Sequence, residues 1–476
     1  MSELTMRILL INVCLRSDSR FKIVPVGLSC IATSLSQTGF KPDILDIDLY
    51  RFSDDEVKDF LSKNSYDIVG LGHIVTGYKH IKKICIQVKE AMPKTLLVVG
   101  NTVATTIPEL LLRKVPQVDI AVIGEGDQTI VDIVNAKAKN IGCHNIPGIA
   151  YRDGENIVFT RRREAIPDMK DIPFPNYSLF DIEEYIKISP YTISEPHPIP
   201  VEGLRALPLS TARGCPYNCT FCTHAFKNYK YRFYPFQMVV EHIDFLQKDM
   251  AVNYIHFWDE LTLHSVRRTE ELCDEIEKKG IEFYWAICAR GSTYGKRDLN
   301  LLKRCKDLGA LSMGGALESS DPAILKAMNK KIKVEDFIEQ MDTTREAGLS
   351  CNTSIVLGYP QETPQTIQNT FEVCKRCEIY PSIGFLLPLP ATPMYEYAKQ
   401  RGFIPDEEEY LLSIADRQDL TVNLTQMSDE RFVNIVREEA SKLRDYLGIH
   451  LSDDNLIKTG VMRVPHKIGN SQLEGA

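Results

Sequence analysis

Arg213-Gly214-Cys215-Pro216-Tyr217-Asn218-Cys219-Thr220-Phe221-Cys222 places three cysteines within eight residues, in a CxxxCxxC pattern. One short loop thereby supplies three thiolates, which suits three corners of an iron–sulfur cube and leaves the fourth iron without a protein ligand. An iron left open in this way can bind a substrate or cofactor. A structural zinc site would want a fourth ligand. The next cysteine, Cys273, stands about fifty residues on with no CxxC pair near it, and His224, two residues past Cys222, would have to fold back sharply. A disulfide would use two of the thiols and strand the third.

Around this loop the chain reads as an ordinary globular protein of more than one domain. Its 476 residues exceed what a single core holds, and its hydrophobic content of 44% and charged content of 25% are unexceptional. No apolar run reaches membrane-spanning length and the N-terminus lacks signal-peptide character, so a cytoplasmic location is expected. The 13 cysteines are otherwise scattered, and Cys374 and Cys377, though a CxxC pair, fall in a helical pattern where packing is the default role. A formal net charge of −8 argues against nucleic acid as the main partner. The basic and aromatic run from Lys227 to Tyr234 is read as a lid or a substrate-facing loop.

Residues 1–163 alternate apolar runs with amphipathic stretches. Strands are expected at Arg7–Val13, Asp43–Asp48, Asp67–Leu71, Thr95–Val99 and Asp119–Ile123, the pattern of a doubly wound parallel sheet, followed by a hairpin turning at Asp153-Gly154. Ligands of such sheets bind outside the carboxyl ends of the strands. Those ends carry small residues: Pro25 and Gly27, then His73 and Thr76, then Gly100-Asn101-Thr102, then Gly124-Glu125-Gly126. Glycine there lets the backbone approach a large ligand closely.

Eight prolines between Glu164 and Pro208 mark an extended linker at 164–206. Over 207–400, strand starts recur near residues 208, 254, 282, 311, 350 and 382, each followed by a helical pattern, which predicts a partial (β/α)6 barrel. The cysteine loop follows the first of these strands, so the other strand ends should face it. They offer Asp259 and Glu260, Arg290, Glu318 and Ser319, and Gly358. A cation such as Arg290 suits a carboxylate, and the anions suit an ammonium or ribose hydroxyls. Each has a plainer use as well: Asp259, Glu260, Glu318 and Ser319 as helix caps, Arg290 in a structural ion pair, Gly358 in its turn. Residues 401–476 read as a helical extension, with Ser428 capping a helix over Asp429–Tyr446 and a polar tail beyond Ser452.

The cysteine spacing, with the aromatic Phe221 before Cys222, resembles the cluster loop of the radical S-adenosylmethionine superfamily. The glycine-rich domain ahead of it resembles the cobalamin-binding domain of one branch of that superfamily, whose members include class B methyltransferases. The resemblance implies a 4Fe-4S cluster on Cys215, Cys219 and Cys222 and S-adenosylmethionine bound at the open iron. It also implies Phe221 near the adenine, a group after the second barrel strand on the cofactor's amino end, and cobalamin on the first domain. One departure stands out: cobalamin mutases carry a DxHxxG motif after the first strand, where this chain reads Asn12-Val-Cys-Leu-Arg-Ser-Asp-Ser-Arg-Phe-Lys. Without an imidazole below it, cobalt is expected to be nucleophilic when reduced. The expected activity is generation of a 5′-deoxyadenosyl radical and cobalamin-dependent methylation of an unactivated carbon, or of phosphorus, in a small-molecule, lipid or peptide substrate. Flavodoxin or ferredoxin is the expected reductant. Radical cyclisation, ring contraction, dehydration or epimerisation is the alternative outcome, and a cobalamin sensor with an inactive barrel is a third reading.

Overall fold

In the first part of the chain, adjacent side chains of each strand feed opposite cores. Ile8 and Leu10 pack with Ile68, Val98 and Ile120 on one face, while Leu9 and Ile11 pack with Val69, Leu97 and Val99 on the other. A strand buried on both faces reads as a continuous apolar run, which is why Ile8–Asn12 has no polar alternation. The computed structural model describes residues 6–17, 19, 22–193, 197–227, 229–414 and 416–458; Asp18, Arg20, Phe21, Pro196 and Asn228 of the stretches discussed above, and the tail from residue 459, lie outside the described residues.

The first sheet comprises β1 (Ile8–Asn12), β2 (Asp43–Asp46), β3 (Ile68–Gly72), β4 (Leu96–Gly100), β5 (Ile120–Val122), β6 (Ile149–Asp153) and β7 (Asn156–Phe159), ordered β2-β1-β3-β4-β5-β6-β7. The first five are parallel, and the hairpin β6–β7 extends the sheet antiparallel to β5. Helices Val26–Gln37 and Asp127–Ala138 contribute to one core, and Asp54–Lys63, Tyr78–Ala91 and Pro108–Lys114 to the other. The strand order reverses between β1 and β3, so the crevice at their carboxyl ends is the natural ligand position.

The second domain is built on β8 (Ala206–Leu209), the ribbon strands β9 (Ala212–Arg213) and β10 (Arg232–Phe233), then β11 (Tyr254–Phe257), β12 (Tyr284–Arg290), β13 (Ala310–Ala316), β14 (Ser354–Leu357) and β15 (Ser382–Phe385). Strands β8, β11, β12 and β13 form one parallel sheet and β14–β15 another. Isolated bridges at Ser312–Ser350 and Glu318–Ile355 join the two, completing an arc of six parallel strands in sequence order. Helix Asp429–Leu447, capped by Ser428, packs on the outside of the last strands through Phe432, whose ring meets Phe385 edge-on at 5.3 Å.

The proline-rich stretch is packed against both domains. It contains helix Ile182–Ile188, buries Met169, Tyr177 and Tyr185, and bonds in both directions. Asn176 N–H donates to Thr33 Oγ1 at 2.8 Å and Tyr185 Oη to Asp46 at 2.6 Å, while Tyr177 Oη donates to the Pro208 carbonyl at 2.7 Å. Among the described residues no helix is long and apolar enough to cross a membrane.

Candidate active site between the two domains

The cysteine loop leaves the β8 end through β9 and Gly214, whose φ of +90° is the left-handed conformation that favours glycine. Asp259, just past β11, fixes this exit. Its carboxylate accepts hydrogen bonds from Thr211 N–H (2.7 Å), Thr211 Oγ1 (2.7 Å), Ala212 N–H (3.0 Å) and Thr262 Oγ1 (2.5 Å). With both oxygens taken by the protein, Asp259 holds the loop in place.

Further along, Thr220 is the loop's anchor. Its N–H donates to the Met328 carbonyl at 3.0 Å, its Oγ1 lies 2.9 Å from the Ala327 carbonyl and 2.8 Å from Tyr359 Oη, and its carbonyl accepts from Met394 N–H at 3.2 Å. Asn329 Nδ2 donates to the Asn218 carbonyl at 2.8 Å. Phe221 meets Tyr359 edge-on, ring centroids 6.5 Å apart.

The three thiols are free of disulfides. Burial pushes the Cys222 thiol up to about 11, reinforced by Cys219 and Cys215, and burial also raises Cys215, which Cys219 reinforces. The three thiols thus bear on one another's ionisation. Among the described residues no three His, Cys, Asp or Glu side chains converge as ligands of a single ion. Three thiolates on one loop suit an iron–sulfur cube, in which each takes its own iron. A thiolate bound to metal is deprotonated outright, and the raised pKa values are those of the ligand-free loop.

Around the loop stand the polar strand ends. Arg290, closing β12, stacks its guanidinium 3.6 Å from the Tyr217 ring centroid, and its buried Nη2 has no hydrogen-bond partner. An orphaned guanidinium nitrogen beside the loop suits a carboxylate. Glu260 is raised above the ordinary carboxyl range first by burial and further by Asp259, and its Oε1 lies 3.8 Å from His224 Nδ1, a buried atom also without a partner. Glu318 sits at φ +64°, ion-paired to the buried Lys330 at 2.9 Å. Ser319 accepts from Asp321 N–H at 3.2 Å, and Gly358, at φ +113°, donates its N–H to Glu362 at 3.1 Å. The structure thus brings Glu260, Arg290 and Glu318 to the cysteine loop and uses Asp259, Ser319 and Gly358 inside the protein.

A cavity of about 480 Å³ opens between the domains. Gly27, Thr76, Gly100, Asn101, Thr102 and the Gly124-Glu125-Gly126 turn line it from the first domain, and Thr223, His224, Trp258 and Glu260 from the second. A Cβ at Gly27 or Gly100 would stand in open space, so these glycines form a cradle that side chains would fill. The residues present therefore fit a large planar ligand on the first domain. Pro25 and His73 stand back from it. The Pro25 carbonyl accepts from Ser29 at the start of a helix, and His73 Nδ1 accepts from Ile74 N–H at 2.9 Å with its ring against Gly77, burial holding its pKa down at about 4. The imidazole that reaches the cavity is His224, from the other domain.

The run from Lys227 to Tyr234, read from the sequence as a lid or a substrate-facing loop, fastens the second domain to the first, as a clasp, through Tyr229 and Arg232. Arg232 pairs opposite Arg213 in the β9–β10 ribbon, and both reach across to the first domain. Arg213 makes parallel bonds to Asp127 at 2.8 and 2.9 Å and lies 3.4 Å from Glu125; Arg232 pairs with Glu125. All four side chains are buried, and although burial alone would raise it, the Arg213 guanidinium holds the Asp127 carboxyl below its ordinary value. Tyr229 lies directly over Gly124, where a Cβ would be 2.1 Å from its hydroxyl. Arg232 and Asp127 carry no motif that marks them in the sequence as site residues, because Arg213–Asp127 and Arg232–Glu125 are 86 and 107 positions apart.

The chain matches the family model of the radical SAM superfamily over residues 209–374 and that of the B12 binding domain over residues 13–134, together more than half of its length. It is 25% identical over 442 residues to an uncharacterized methyltransferase of Pyrococcus horikoshii, covering 91% of this chain and 89% of that relative. It is 27% identical over 329 residues to the anaerobic magnesium-protoporphyrin IX monomethyl ester cyclase of Cereibacter sphaeroides, covering 67% of this chain but spanning only 51% of the cyclase. Among solved structures, the radical S-adenosylmethionine methyltransferase TsrM from Kitasatospora setae, with cobalamin and a 4Fe-4S cluster bound, has a TM-score of 0.66 at 18% identity over 84% of this chain and 76% of that one, a likeness of fold. With a B12 binding domain closed onto a radical SAM barrel, the chain belongs to the cobalamin-binding branch of the radical SAM superfamily.

Proposed function

We propose that this protein is a cobalamin-dependent radical S-adenosylmethionine methyltransferase acting on an unactivated carbon, or on phosphorus, of a small molecule, lipid or peptide. The observation that carries the reading is the shared cavity: the glycine-floored strand ends of one domain and the residues following the cysteine triple of the other line one volume. When bound, the iron–sulfur cluster supplies an electron to cleave S-adenosylmethionine and cobalamin supplies a methyl carrier. The chain's own residues supply position. Cys215, Cys219 and Cys222 would hold the cluster, Arg290 would take the cofactor's carboxylate and Glu260 its ammonium, and Gly27, Gly100 and the Gly124–Gly126 turn would seat the corrin. Asp259 and Thr220 keep the loop from shifting, which matters because reacting atoms must be held within tenths of an ångström of a productive arrangement. A flavodoxin or ferredoxin would serve as reductant.

Anaerobically reconstituted protein with S-adenosylmethionine, cobalamin, a reductant and its substrate should yield 5′-deoxyadenosine and S-adenosylhomocysteine in comparable amounts. Substrate-dependent deoxyadenosine without the homocysteine product would sink the methyltransferase reading in favour of non-methylating radical chemistry, the alternative that the likeness to a cyclase supports. Cys219→Ala should abolish both products; continued deoxyadenosine formation would contradict the cluster assignment.

A further inference from the structure

We infer that Arg213 is a positioning residue that couples the cobalamin site to the cluster site. The inference rests on the proposed function, in that the chain holds both groups. Arg213 is separated from Cys215 only by Gly214, and its guanidinium is clamped by Asp127 and Glu125 of the first domain. Glu125 belongs to the turn that lines the cavity, and Asp127 is the next residue after that turn and begins helix Asp127–Ala138. The backbone that would touch the corrin and the backbone that carries the first cluster ligand are therefore joined by one buried ion-pair group.

That group cannot be pulled apart cheaply. Arg213, Arg232, Glu125 and Asp127 are each 4–8% exposed, and separating them would leave buried charge uncompensated. Arg232 doubles the link, since it sits opposite Arg213 on the ribbon and pairs with the Glu125 carboxylate. The Gly124–Asp127 turn and the start of the cysteine loop consequently move as one body. A ligand that fixes either end fixes the other, and the effect on binding free energy is the same in both directions.

The test uses the full-length protein, prepared anaerobically with and without its reconstituted iron–sulfur cluster. The dissociation constant of hydroxocobalamin is measured for each by equilibrium dialysis and visible absorbance. In the wild type the cluster should tighten hydroxocobalamin binding by about fivefold or more. Asp127→Asn should bring that ratio close to one. Asn101→Ala lines the same cavity outside the ion-pair group, and should weaken binding in both states with the wild-type ratio kept. A merely structural role for the ion pairs would lower both affinities and leave the ratio alone. Should Asp127→Asn fail to fold, Glu125→Gln and Arg213→Lys are read against the same ratio, and both should reduce it. Equal affinities in wild type with and without cluster, or an unchanged ratio in the ion-pair variants, overturns the coupling. Wild-type protein that takes up no cobalamin or no cluster overturns the proposed function itself, and the coupling with it.

Discussion

Arg290 stacks flat on Tyr217 yet leaves Nη2 without a partner in a buried position, an arrangement that has a cost unless a ligand completes it. Arg290→Met keeps the stacking volume and removes the charge. It should weaken S-adenosylmethionine binding by roughly ten- to a hundredfold, the loss of a charge-assisted hydrogen bond worth about 1.5–3 kcal/mol, measured by isothermal titration of the anaerobic protein. Glu362 makes a different prediction. Burial raises its pKa from 4.5 to about 7, against the opposing hydrogen bonds from Thr366 and Gly358 N–H. Its proton is bound more tightly in the folded chain, so the stability it contributes is complete below about 4.5 and is lost as pH rises through about 7. Glu362→Gln cannot ionise, so its stability relative to wild type should climb between pH 5 and pH 8 by up to roughly 3 kcal/mol, read from denaturant midpoints. A flat difference across that range would remove the shifted carboxyl from the account.

At the scale of elements, the turn after β5 is the most constrained piece of the cavity. Gly124 has φ +80°, and Tyr229 occupies the space a side chain would need. Gly124→Ala should therefore destabilise the protein by about 1–3 kcal/mol and loosen the clasp, seen as increased hydrogen exchange in residues 229–233. Much of this architecture is legible in the sequence because its signals are local. Five apolar runs at regular spacing specify the parallel sheet, and the cysteine triple needs no partner outside its own loop. The clasp is not legible, because Arg213 and Asp127 are 86 positions apart and nothing near either announces the other. A run of alternating basic and aromatic residues has the composition of a lid or a substrate-facing loop, and only the tertiary pairing of Arg232 with Glu125 makes it a fastener. His73 and Asp259 mark the same limit. A polar residue at a strand end can face the ligand or the backbone beside it, and the choice is made by the neighbouring turn.

At the scale of the molecule, the two domains share their interiors. One core runs from Leu9 and Val69 of the first sheet to Leu325, Tyr359 and Tyr395 of the second domain, and another joins Ile8 and Ile133 to Phe236 and Leu272. Lys82 and Lys114 add a surface tie by pairing with Glu408 at 2.7 and 3.2 Å. Such a protein should melt as one cooperative unit in calorimetry. Arg232→Met, which leaves the buried Glu125 short of a partner, should cost about 3–5 kcal/mol and split the transition in two. The packed 164–206 stretch has a consequence for how such a chain could have evolved. Because Asn176 and Tyr185 bond to the first domain while Tyr177 bonds to the second, a recombination breakpoint anywhere within it would divide a structural unit. Exchange of one domain for a relative's should be viable only when the seam travels with it.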